Sequence, residues 1–397
     1  MFCFSLTDLI RKNRKPNCLS TIMVSKALLL ISLLICESSV DALAVKSKAK
    51  VTARSSGGGF GASKEAPLVH TPDTSSETQR LLQFLKAQKA TGLNHVEIGY
   101  HQSTGIRGAF CKKSFKKGQI MCKIPSDCAL ALSDPSKNGE DAPTFAHAGA
   151  NFLSMYWNNE QARNLWAPYL DGLPVQGTSQ FDPTPDFFGD EELELLEFPR
   201  AIRLAKKRQE EISKVSEENS IDFDQLQFAT WLVASRAFPI SIANEGEEDP
   251  KYDEKNQVIA KREQRMLRVL VPFIDLVNHS SDQPNAKLTL IDPEKDDAWF
   301  ALEATRPIAA GKEVRISYGT GVESSVELLT NYGFVPDKNK IDPFMLKKGG
   351  DDSITSLDGW TTTLDEDKAM LSMAEGDDTL KKILNFRIRL KEAYSAD

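Results

Sequence analysis

Two short segments of this 397-residue chain run from apolar residues into polar groups. In Val271-Pro272-Phe273-Ile274-Asp275-Leu276-Val277-Asn278-His279-Ser280 a strand-like run closes on an Asn-His pair. In Gly311-Lys312-Glu313-Val314-Arg315-Ile316-Ser317-Tyr318-Gly319 another closes on Ser-Tyr-Gly, and Leu328-Leu329-Thr330-Asn331-Tyr332-Gly333-Phe334-Val335 follows it. Strand ends hold side chains rigidly, so they are where a site is built. An Asn amide offers donors and an acceptor to a carboxylate or an amine. A third signal is Arg236. Leu226, Ala229, Val233 and Arg236 fall at i, i+3, i+7 and i+10, which puts an arginine on the apolar face of a helix. A buried arginine needs an anion, and that anion is either a ligand carboxylate or an acidic residue of the chain.

Regular elements must hold these groups in place. Within residues 71–144, Thr74-Ser75-Ser76-Glu77 has capping-box spacing, and Leu81, Leu82 and Leu85 form a helical stripe after it. Short strands are expected at 96–98, 108–110 and 120–124, with Lys117-Gly118 as turn chemistry before the last. Residues 145–265 change to helical spacing, at 145–157, 191–218 and 223–238. Pro199 is expected to kink or break the middle helix, and the acidic stretch 245–255 to be a loop. Strands return at 268–271, 286–291, 298–304 and 313–317, with residues 292–297 as a hairpin loop. Beyond 336 only a weak helix, 379–394, is legible. The pattern predicts an α+β fold. Its β-rich domain comprises 71–144 and 266–336, is split by a helical insertion at 145–265, and is followed by a short C-terminal helical segment at 337–397.

Charged content of 26% and hydrophobic content of 41% suit a soluble enzyme. The net charge of -7 speaks against a nucleic-acid partner, which favours a net basic domain. The first 66 residues differ from the rest. Residues 27–36 form an apolar run after Lys26 and before Val40-Asp41-Ala42-Leu43-Ala44. The run is short for a membrane span, and its flanks describe a signal peptide at about 23–44, a buried core helix being the other reading. Met23 offers a second start. Residues 45–64 are rich in Lys, Arg, Ser, Ala and Gly and hold no Asp or Glu, as transit peptides do; this stretch is assigned to 45–66. Signal and transit segments in tandem resemble the bipartite leaders of algae with secondary plastids. The expected location is a plastid, reached by the secretory route, with the secretory pathway itself or the cytoplasm as alternatives. The mature part is expected to be a monomer that does not associate with membranes. Its Cys111, Cys122 and Cys128 lack C-x-x-C spacing, so neither a disulfide framework nor a metal site is expected.

The D-L-V-N-H-S, I-S-Y-G and N-Y-G-F strings have further pieces before them in a fixed order: Gly105-Ile106-Arg107-Gly108-Ala109-Phe110, Phe115-Lys116-Lys117-Gly118-Gln119-Ile120, Ile124-Pro125 and Trp166-Ala167-Pro168-Tyr169-Leu170-Asp171-Gly172-Leu173-Pro174. Together they resemble the SET-domain methyltransferases, in particular the branch of the Rubisco large-subunit lysine methyltransferases and the actin-histidine methyltransferases, from about Asn94 to Val335. The resemblance implies S-adenosylmethionine as cofactor and a protein as substrate, the acceptor being a lysine of a plastid protein such as a Rubisco subunit or an aldolase. Histidine methylation and a catalytically silent binding module are the alternatives. It implies Tyr318 as the catalytic tyrosine, whose hydroxyl orients the amine and contacts the polarised methyl. Asn278 and His279 would bind the adenine and amino-acid ends of the cofactor, and Arg236 its carboxylate. Arg107 and Gly108 would lie where the backbone approaches it, glycine removing the Cβ obstacle. Gly333 and Phe334 would close over it, Tyr332 would line the substrate channel, and Asp275 would either organise its turn or contact the ligand. The chain departs from the family after Gly319, where residues 320–325 are longer and acidic, and in its C-terminal lobe, which is shorter.

Overall fold

A computed structural model describes residues 70–395 apart from 133–143, 179, 244–250, 253–257, 261–263, 294–297, 320 and 349–359. The expected leader at 1–66 and the tip of the 292–297 loop lie outside the described residues. The described residues open with β1 (His70–Pro72), α1 (Ser76–Ala87), β2 (Val96–His101), β3 (Arg107–Cys111), β4 (Ile120–Pro125) and β5 (Leu130–Ala131). The cap of α1 falls one residue later than its spacing suggested: Ser75 Oγ accepts from the Thr78 N–H, while Asp73 accepts from the Ser75 N–H.

The insertion holds α2 (Phe145–Phe152), extended by a wider turn over Leu153–Trp157, then α3 (Glu160–Leu170), α4 (Asp190–Leu195), α5 (Pro199–Asn219) and α6 (Phe223–Arg236). Pro199 breaks the expected helix and starts the second of the two. At the first helical position its missing N–H removes no bond, so residues 191–218 form two helices. The structure also corrects the expectation of helix as far as Phe238. Pro239 disfavours helical backbone at the residue before it. The chain turns there into β6 (Phe238–Ala243), and β7 (Lys251–Tyr252), inside the stretch expected to be a loop, pairs with β8 (Val258–Ala260) just beyond it.

Next come β9 (Gln264–Leu270), β10 (Asn278–His279), β11 (Ala286–Ile291), β12 (Trp299–Ala304) and β13 (Glu313–Ile316). Three sheets carry the β domain, in the orders β1-β2-β3-β13-β10, β11-β12-β4 and β5-β9-β6. The β6–β9 pairing joins the insertion directly to the β domain, in register Phe238↔Val269. One core runs through these sheets and α1, α2, α3 and α6, and includes Leu85, Ile124, Phe152, Val233, Phe273 and Phe300. Cys111, Cys122 and Cys128 are free and buried within it, and burial pushes each thiol up to about 12.

The C-terminal part is more structured than its sequence suggested. After α7 (Ser325–Tyr332) come α8 (Ile341–Lys348), α9 (Leu364–Met373) and α10 (Asp378–Ser395). α7, α8 and α10 share a second core with the insertion, through Leu193, Phe198, Ala201, Leu329, Leu346, Ile383 and Phe386. Asp367, fully buried, accepts from Arg387 at 2.7 Å and from Lys391 at 2.6 Å, which fastens α10 to α9. No helix among the described residues is long and apolar enough to cross a membrane.

Candidate active site

Strand pairing brings the two informative segments together. β10 runs parallel to β13, with Asn278 opposite Arg315 and His279 opposite Ile316, and β3 flanks the other side of β13. The turn that delivers β10 starts at Phe273, a fully buried non-glycine residue at φ +76°, ψ -44°. That conformation is strained for a bulky side chain, and the packing around the ring holds it. The single turn Ile274–Leu276 follows and presents Asp275 inward.

His279 and Tyr318 are fixed by hydrogen bonds that also settle their chemistry. The Tyr318 backbone N–H donates to His279 Nδ1 at 2.9 Å, so Nδ1 carries the lone pair. Nε2 then carries the proton and donates to Ser281 Oγ at 2.7 Å. Burial lowers the imidazole from an ordinary 6.5 to about 4, so it is neutral and both nitrogens are engaged. The Tyr318 hydroxyl donates to the Val277 carbonyl at 3.0 Å, and burial pushes its ionisation above the usual range. Its proton is committed, and its remaining lone pair is an acceptor.

The depressed His279 value has a consequence for stability. An unfolded imidazole takes up a proton near pH 6.5, while the folded one stays neutral to about 4. The stabilisation is therefore complete above 6.5 and is lost as pH falls towards 4. Denaturant midpoints measured from pH 7 to 4 should decline, and His279→Gln should flatten that part of the curve. Equal slopes in parent and variant would assign the decline to other groups.

Tyr332 and Phe334 complete an aromatic group around Tyr318. Ring centroids lie 4.8 Å apart for Tyr318 and Tyr332, 5.1 Å for His279 and Tyr318, 5.7 Å for His279 and Phe334, and 6.3 Å for Tyr332 and Phe334. Gly333 between them ends α7 at φ +81°, and a Cβ there would stand 2.3 Å from the Asp182 carbonyl oxygen. What approaches this glycine is thus the insertion. Lys382 of α10 binds Asp182 from the other side. Arg208 of α5 donates to the Thr330 carbonyl and to Asn331 Oδ1. Both residues lie in the last turn of α7, where a cation complements the helix dipole.

Arg236 sits at the end of α6 with its guanidinium 3.6 Å from Asp275, and Nη1 also donates to the Asp275 carbonyl at 3.3 Å. The anion that this arginine required is supplied within the chain. Asp275 in turn accepts from the Tyr169 hydroxyl at 2.8 Å, and burial raises its carboxyl. Neither Arg236 Nε nor Asp275 Oδ1, both buried, has a partner among the described residues. The pair therefore has polar capacity that the chain does not use. The Tyr318 hydroxyl is bonded to Val277, two residues beyond Asp275, so the aromatic group and the ion pair adjoin in one site.

Arg107 and Gly108 lie against Asn278. The Arg107 guanidinium turns to Asp73 at 2.9 Å and Thr78 Oγ1 at 2.6 Å, tying β3 to the start of α1. The Arg107 carbonyl accepts from Asn278 Nδ2 at 2.9 Å. A Cβ on Gly108 would lie 2.7 Å from that same Nδ2 and 2.9 Å from Glu313 Oε1. The close approach that demands glycine is made by Asn278 and Glu313. Tyr169 and Glu313 are members of the site that sequence reasoning did not single out. Tyr169 stood inside a quoted motif without a role, and Glu313 carried no signal beyond its place in a strand.

Among the described residues no cluster of His, Cys, Asp and Glu could hold a metal ion. The sequence pattern of the SET domain matches residues 106–319, more than half of the chain. The chain is 26% identical over 267 residues to ribosomal lysine N-methyltransferase 4 of Saccharomyces cerevisiae, covering 59% of this chain and 50% of that protein. It is 28% identical over 277 residues to SET domain-containing protein 4 of Mus musculus, covering 66% of this chain and 60% of that protein. It thus spans about half to three fifths of the length of these relatives. Two solved structures share the fold: the SET domain of LSMT bound to lysine and AdoHcy (TM-score 0.54, 16% identity, 82% of this chain and 90% of that chain), and Rubisco LSMT bound to AdoMet (TM-score 0.53, 15% identity, 81% and 90%).

Proposed function

The chain belongs to the SET-domain family, and from that premise we propose that it is a protein methyltransferase that uses S-adenosylmethionine and delivers the methyl group to a lysine side chain of a plastid protein. The observation that carries the reading is the Tyr318 hydroxyl, pinned by Val277 within the aromatic group and close to the Arg236–Asp275 pair.

The residues present fit this cofactor. Arg236, with its unpartnered Nε, would take the carboxylate, Asn278 a polar end, and the aromatic group, which includes the His279 ring, the sulfonium, because aromatic faces attract cations. When bound, S-adenosylmethionine supplies an electrophilic methyl group. The chain's own residues do the remainder. The Tyr318 oxygen, with its proton held by Val277, accepts from the incoming amine and orients it. Burial of the site, with the positive charge of Arg236 nearby, disfavours an ammonium and lowers the cost of presenting a neutral amine, which at a pH of about 8 is roughly 3 kcal/mol for a lysine of ordinary pKa. None of the groups at the centre acts as a base. His279 has both nitrogens engaged, and burial raises the Tyr318 hydroxyl and takes the Tyr332 hydroxyl up to about 12. The acceptor amine gives its proton to water before it is aligned.

The lysine acceptor is supported by the yeast relative, which is by name a lysine methyltransferase. The test is to incubate the full chain with methyl-labelled S-adenosylmethionine and plastid proteins, then map the label by mass spectrometry. Label on lysine is the expected result, and label on histidine would change the acceptor. No label together with no cofactor binding in calorimetry would leave a binding module.

The plastid rests on the leader alone, an apolar run at 27–36 followed by acid-free 45–64. Residues 23–70 fused to a fluorescent reporter should collect in plastids. Accumulation outside the cell would keep the signal peptide and remove the plastid.

A further inference from the structure

We infer that Glu313 is a positioning residue, whose carboxylate fixes the orientation of the Asn278 amide and so decides which polar atom that side chain presents to a ligand. The inference rests on Asn278 being a cofactor contact, as proposed above. Asn278 Nδ2 has two protons and two partners, the Arg107 carbonyl at 2.9 Å and Glu313 Oε1 at 2.9 Å. Both partners only accept, so the amide has one satisfactory orientation; turned over, it would set Oδ1 against two acceptor oxygens, one of them anionic. With both protons committed, the polar atom left to offer is Oδ1. Asn278 therefore recognises a donor, and an anionic group on the ligand is left to Arg236.

The fold builds this arrangement from three strands. Asn278 lies opposite Arg315 in the parallel β10–β13 pair, so Glu313, two residues earlier on β13, shares a face with Arg315 and reaches the amide diagonally. Arg315 Nε holds the second carboxylate oxygen at 3.1 Å, which keeps Oε1 turned inward. Gly108 on β3 leaves the space in which amide and carboxylate meet, since any Cβ there would stand within 3.0 Å of both. The Glu313 carboxylate is only about one-seventh exposed, while Arg315 is half exposed, so the anchor sits at the surface and the working oxygen inside.

The experiment compares Glu313→Gln, Glu313→Ala, Glu313→Lys and Asn278→Ala in the full chain, by calorimetry with S-adenosylmethionine and by denaturant unfolding. Glu313→Gln keeps an acceptor and should bind within threefold of the parent. Glu313→Ala frees the amide and should weaken binding about tenfold, the size expected for one lost charge-assisted bond. Glu313→Lys sets a donor against Nδ2, favours the reversed amide and should weaken binding further, while the unfolding midpoint moves little. A purely structural role would lower midpoint and affinity in step, and would not predict rescue by Gln. A second readout is the Asn278 side-chain amide in NMR, protected from exchange in the parent and in Glu313→Gln, and exchanging in Glu313→Ala. If Asn278→Ala loses affinity while Glu313→Ala and Glu313→Lys bind like the parent, the inference is overturned and the cofactor reading stands. If Asn278→Ala itself binds like the parent, the reading of Asn278 as a cofactor contact fails and the inference falls with it.

Discussion

Tyr318→Phe should bind S-adenosylmethionine nearly as well as the parent and transfer methyl groups about a hundredfold more slowly, since loss of one oriented group at a reacting centre costs on the order of 3 kcal/mol. The geometry separates the two effects. The ring stays in contact with His279, Tyr332 and Phe334 in the variant, and the Tyr318 backbone N–H still reaches His279 Nδ1. Only the hydroxyl oxygen, proposed to receive the amine, is lost. An interaction made in the transition state appears in kcat, and one made equally in the ground state appears in KM. The Val277 carbonyl also loses its donor, so stability should fall by about 1 kcal/mol. Cofactor affinity and initial rate, measured on the same preparation, decide the matter. A rate within threefold of the parent would remove Tyr318 from the mechanism. Collapse of affinity and folding together would make it a turn residue.

The second large effect belongs to Arg236, and the structure changes which variant is informative. Because Asp275 is wholly buried against the guanidinium, Arg236→Ala leaves a carboxyl that must take a proton or remain unpaired. Breaking one side of a buried pair typically costs about 3–5 kcal/mol of stability. Loss of cofactor binding in Arg236→Ala would thus be mixed with loss of fold. Arg236→Lys keeps a positive charge near Asp275 and lacks the planar fork that receives a carboxylate. It should weaken S-adenosylmethionine binding more than tenfold, equivalent to over about 1.4 kcal/mol, with an unfolding midpoint near that of the parent. Unchanged affinity in calorimetry would leave Arg236 as a partner of Asp275 alone.

The site segments were legible because their signals are local. An apolar run ending in Asn278-His279, another ending in Tyr318, and the Tyr332-Gly333-Phe334 string place their groups by strand and helix ends alone. The strand expected at 286–291 is β11 to the residue, and the apolar stripe located α1. What escaped was set by contacts between distant positions. Tyr169 meets Asp275 across 106 residues and Glu313 meets Asn278 across 35, and neither distance leaves a trace in spacing. The anion for Arg236 could not be chosen in advance, because burial demands a counter-charge and does not say whether ligand or chain provides it. Gly108 was seen as a place of close approach, but the approaching group, Asn278, is brought there by sheet order. The C-terminal helices stayed faint because each gives few apolar residues to a core that the insertion completes. Leu346 is the contribution of α8, and Ile383, Phe386 and Leu390 that of α10.

The sheet order β1-β2-β3-β13-β10 also bears on how this chain is made. β3, at 107–111, pairs with β2 on one side, but its other edge stays open until residues 313–314 exist, and β4 waits for β12. The insertion helices α5 and α6 are adjacent in the chain and in contact, and can pair early, before these strands close up. Non-local pairing of this kind is slow, and it exposes strand edges meanwhile. A nascent chain that stalls short of Glu313 would carry early strands with open edges and no centre for chemistry. Chaperone demand during synthesis should therefore peak late, just before β13 leaves the ribosome.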